Sequence, residues 1–83
     1  MIYYFFFIAH FYDERHQTDD DLPIKIKAEF LDEALKEARE KCRSFGIEYP
    51  YKRFRSLDLE QTIPAAVIAA EDDHSLSGLL EEV

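Results

Sequence analysis

Three histidines, a run of carboxylates, one thiol and one basic-aromatic cluster are the residues of this 83-residue sequence with the means to do chemistry. His10, His16 and His74, with Asp13, Asp19, Asp20 and Asp21, offer nitrogen and oxygen donors that a hairpin could gather. Their spacing matches no metal pattern, and the Asp-rich run lacks the glycine and closing glutamate of a calcium-binding EF-hand loop. No metal or other cofactor is expected, and the histidines read as surface or edge residues. Cys42 falls on the apolar face of a helical pattern with no histidine near it in sequence, which makes it a buried structural thiol rather than a nucleophile. Ser44, Ser56, Ser75 and Ser77 have no nucleophile-elbow context, and two glycines in the whole chain exclude a glycine-rich phosphate cradle. The paired carboxylates lie in solvated runs, where nothing desolvates one of them to raise its pKa. The sequence therefore names no catalytic residue and reads as a binding protein rather than an enzyme.

Lys52, Arg53 and Arg55 alternate with Tyr49, Tyr51 and Phe54, a composition that in a basic protein suits single-stranded nucleic acid through stacking and phosphate contacts. Here the formal net charge is -8, which repels phosphate backbones and anionic membranes and attracts basic protein surfaces. The three cations are accordingly expected to pair with nearby Asp or Glu, with neither nucleic acid nor membrane as a direct partner. The negative charge is concentrated. Of Lys and Arg, the stretch of Asp13, Glu14, Asp19, Asp20 and Asp21 holds only Arg15, and that of Glu71, Asp72, Asp73, Glu81 and Glu82 holds none. Those acids serve solubility at the least, and they are the candidate partner-binding residues, Asp13, Glu14, Asp19, Asp20, Asp21, Glu71, Asp72 and Asp73.

The elements that must position these groups follow from periodicity. Ile2 to Tyr12 is aromatic and β-branched with no Gly or Pro, and both of its faces are apolar, so it reads as a central strand covered on two sides. Asp13 to Asp21 is expected as a solvated loop. Leu22 to Phe30 alternates, with Leu22, Ile24, Ile26 and Ala28 opposite Lys25, Lys27 and Glu29, which predicts a half-buried strand in an antiparallel hairpin with the first. Leu31, Ala34, Leu35, Ala38, Cys42 and Phe45 follow helical spacing, and Gly46 stands where a left-handed C-cap belongs. Asp32 and Glu33 suit the start of that helix and Lys41 and Arg43 its end, whereas Phe30 is a poor N-cap. Beyond Tyr49-Pro50-Tyr51, residues 52 to 59 and Ala65 to Ala70 read as strands, with Gln61 to Pro64 as the turn between them. The alternative makes Pro64 the first turn of a helix reaching Ala70. Ser75 to Val83 fits a short C-terminal helix with Leu76, Leu79, Leu80 and Val83 on one side.

The expected fold is a single domain over residues 1–83, α+β, a two-layer sandwich of a small, mostly antiparallel β-β-α-β-β sheet on one main helix. One helix covers one sheet face. If Tyr3, Phe5 and Phe7 lie beneath it, then Tyr4, Phe6, Ile8 and Tyr12, with His10, form an apolar stripe on the other side, to be covered by the C-terminal segment, a second copy or a foreign partner. A chain of this length buries only about 60% of its unfolded surface, so a missing piece of core matters. A lone cysteine and the lack of an apolar span of about 20 residues suggest a reducing, cytoplasmic setting without a targeting segment. The leading functional expectation is a small acidic inhibitor or regulator that engages a basic surface of another protein, such as a nucleic-acid-binding one. Inhibitors that phages use against host defence work by this physics, an analogy of charge and size. The alternative is a homodimeric regulatory or ligand-binding module that associates through its aromatic sheet face.

Overall fold

The computed structural model describes residues 1–66. In chain order the elements are β1 (Tyr3–Asp13), β2 (Thr18–Ala28), α1 (Leu31–Glu48) and β3 (Lys52–Pro64). The sheet has the order β2-β1-β3 with both neighbours antiparallel, so the aromatic first strand is central, as its two apolar faces require. Among the described residues the architecture is α+β with three strands, not the four-stranded sandwich expected. Ala65 and Ala66 take helical backbone where a fourth strand was expected to begin, consistent with proline at the first turn and alanine's preference for helix. Residues 67–70, the C-terminal helix expected over residues 75–83, Glu71, Asp72, Asp73 and His74 lie outside the described residues.

Two further boundaries differ. The expected Asp13–Asp21 loop shrinks to a turn over residues 14–17, because Asp13 closes β1 and Thr18 to Asp21 open β2 in the register Asp13↔Thr18. Aspartate has low strand propensity, and here cross-strand pairing outweighs it. Asp13 Oδ1 accepts the backbone N–H of Arg15 and of His16, both at 2.9 Å, which shapes the turn, and Gln17 completes it with φ 56°. In β3 the expected Gln61–Pro64 turn is strand, paired with Tyr3 to Phe6. Bulges opposite Phe6/Phe7 and His10/Phe11 leave Glu60 and Arg55 without a β1 partner and break the alternation of the sequence.

The helix packs on the face made by Phe5, Phe7, Ala9, Phe11, Ile24 and Ile26, all buried. Its buried residues are Ala34, Ala38 and Cys42, a line of small side chains four residues apart that lets the helix sit low on the sheet. Leu35 and Phe45 flank that line and pack partly buried against the core, while Leu31 stays 43% exposed, contrary to the sequence expectation. The helix also runs through Gly46, whose φ is not positive, and ends at Glu48. Pro50 disfavours helical backbone at the residue before it, so Tyr49 becomes the C-cap and its N–H bonds to the Phe45 carbonyl at 2.9 Å. Lys41 and Arg43 therefore fall short of the last turn, which holds no base. Phe30 caps the start without a side-chain hydrogen bond.

Candidate binding surface

The hairpin end of the sheet gathers most of the candidate acids and all of the candidate bases. Lys52 Nζ lies 3.6 Å from Asp13 Oδ2 and also pairs with Asp20, while Arg53 Nε pairs with Glu14. Arg55 reaches Asp19 at 3.8 Å, and the Arg15 guanidinium sits 3.9 Å over the Tyr51 ring. The register explains this: β3 enters the sheet at Lys52, opposite the Asp13 that ends β1, so its three cations meet the acids that flank the turn. Asp13 is only 4% exposed. The His16 side chain, together with the turn's backbone N–H groups, holds its carboxyl down at about 2, against the opposing effect of desolvation. Asp13 and Asp20 thus lie on the helix side of the sheet with Lys52, and Asp19 and Asp21 on the opposite side, and each of these acids and Glu14 already faces a cation or histidine of the same chain.

The other face of the sheet carries the second candidate set. Tyr4, Phe6, Ile8, His10 and Tyr12 line its centre, each half-buried, and no described element packs over them. Lys25 Nζ stands 5.0 Å and Lys27 Nζ 6.0 Å from the Tyr4 ring centre, so one end of the face is basic. A depression of about 430 Å³ follows Phe6, Ile8, Pro23, Lys25 and Gln61. At the acidic end His10 bridges the sheet, its Nδ1 2.8 Å from Asp21 Oδ1 on β2 and its Nε2 2.9 Å from Asp58 Oδ2 on β3. Hydrogen bonding to Asp21 leads the causes that raise the His10 pKa.

Sequence reasoning missed Asp58, Pro23 and Gln61 on this face. Pro23 and Asp21 follow from alternation once the hairpin turn is known to be four residues long, whereas Asp58 lies 48 residues from His10 behind two bulges and leaves no local signal. Cys42 is buried, and burial pushes its thiol pKa up, away from the thiolate a nucleophile needs. Among the described residues no group of three or more His, Cys, Asp or Glu stands ready for a metal ion, and no helix is long and apolar enough to cross a membrane. No protein-family model, curated protein or solved structure matches this chain.

Proposed function

We propose that this chain is a non-catalytic, cytoplasmic binding protein whose contact surface is the open aromatic face of its sheet. The observation that carries the reading is the stripe Tyr4, Phe6, Ile8, His10 and Tyr12 on the central strand, uncovered by any described element. Aromatic side chains with polar tips suit such a contact, because they bring large area at little entropic cost. The acids of the hairpin end support the expected docking to a basic surface less well, since each of them has a cation or histidine of its own within 4 Å. A second reading keeps the inhibitor-like engagement of a basic protein and assigns it to Glu71, Asp72 and Asp73, in a stretch with no Lys or Arg. Affinity capture with the wild type, a Phe6→Glu variant and a variant neutralised at those three acids separates the two. Loss of the partner with Phe6→Glu, and its retention at high salt, supports the face; a partner released by salt and indifferent to Phe6 contradicts it.

A further inference from the structure

We propose that the occupant of the open face is a second copy of this chain, packed face to face about a two-fold axis that runs across the strands past Ile8 and Pro23. This rests on the reading of that face as the contact surface. Ile8 and Pro23 are register partners at the middle of the stripe, with Asp58 beyond them on β3. The exposed side of β2 reads Asp19, Asp21, Pro23, Lys25, Lys27 at alternate positions, a row that is its own charge complement when reversed. The axis reverses it: Lys25 meets Asp21 of the second copy, and Lys27 meets Asp19. On β1 the same operation sets Ile8 against itself, Phe6 against His10 and Tyr4 against Tyr12.

The charges are placed to accept this. Among the described residues no ion pair uses Lys25 or Lys27, and each stands over an aromatic ring instead. Asp21 and Asp19 are paired within the chain, yet their side chains remain 60% and 80% exposed, open to a second cation. Packed sheets lie about 10 Å apart with their strands within about 30° of each other, a gap that a lysine and an aspartate from opposite faces span. Lys25 and Asp21 stand two residues from the axis, about 7 Å along the strand, where that angle displaces them little. On β3 the axis brings Asp58 toward its own copy, each carboxylate already 2.9 Å from the Nε2 of its own His10. An isologous interface needs this self-complementarity, and a row of mixed charge without the reversal does not provide it.

Sedimentation equilibrium of the full chain, with circular dichroism to report folding, tests the arrangement. The wild type is expected as a dimer; Lys25→Asp or Asp21→Lys alone weakens it on the order of tenfold or more, and the two together restore it, because the swapped row is again self-complementary. Lys27→Asp with Asp19→Lys repeats the exchange away from the His10 bridge. A wild type that stays monomeric at hundred-micromolar concentration overturns the proposal, as does a folded double exchange that fails to regain the dimer. The wild-type monomer also shows what becomes of the binding surface itself. If Phe6→Glu then leaves the unfolding midpoint unchanged, the face is open to a foreign partner and only the second copy is excluded. If it unfolds the monomer, Phe6 lies in an internal core and the contact-surface reading falls too.

Discussion

His10 has a carboxylate oxygen at each ring nitrogen, and both nitrogens can donate only when the ring carries its proton. Its folded pKa is raised above 6.5, chiefly by Asp21 and then by Asp58, so its contribution to stability is complete below that pH and fades as pH rises through the folded value. Urea unfolding as a function of pH is expected to show this loss on the alkaline side of 6.5, and His10→Gln to flatten it; an unaltered profile would count against the bridge. Asp13 has the opposite sign. Its carboxyl is held at about 2 against an ordinary 3.8, so its contribution is present above 3.8 and disappears as pH falls through about 2. Asp13→Asn is expected to remove that acid limb, and a limb that persists in the variant would assign it to other carboxylates. The residue types of both sites were visible in the sequence, but their partners were not. Reading Asp13 to Asp21 as a loop hid the register that sets Asp21 beside His10.

At the scale of elements, the central strand, the alternation of β2 and the helix with Ala34, Ala38 and Cys42 inward were legible, because each burial pattern has a strict period. The ends were not. Gly46 looked like a cap but lies inside a helix stopped by the residue before Pro50, and an added Cβ there meets nothing within 4 Å. Gly46→Ala is therefore expected to stabilise the protein by about 0.5 to 1 kcal/mol in denaturant unfolding, and a destabilisation would show that the helix does not continue through it. Ala38 is fully buried under the sheet contact, so Ala38→Leu is expected to cost about 1 to 3 kcal/mol by overpacking. A neutral result there would mean that the helix stands farther from the sheet than its burial of Ala38 implies. β3 resisted reading for a different reason: its bulges at Arg55 and Glu60 spoil the two-residue period, so Phe54, Leu57 and Leu59 do not look like one face.

Across the whole molecule the net charge of -8 misleads if taken as a uniform field, because the basic cluster of β3 is paired to the hairpin acids while Lys25 and Lys27 mark a basic end of the open face. With Lys52, Arg53 and Arg55 so engaged, no stable complex with DNA or RNA is expected at physiological salt, and tight binding in a mobility-shift assay would contradict this. Patterning showed that one sheet face would lack a helix, but what belongs on that face depended on register, which brought Asp19, Asp21, Pro23, Lys25 and Lys27 into one row beside the stripe. That row and the stripe together give the face its proposed fit to a second copy. The most direct measurement is a dilution series of amide nitrogen–proton NMR spectra. Concentration-dependent shifts are expected at Tyr4, Phe6, Ile8, His10, Asp21 and Lys25 with α1 unmoved; spectra that do not change with dilution, or changes centred on Glu33 to Arg43, would exclude the face-to-face dimer.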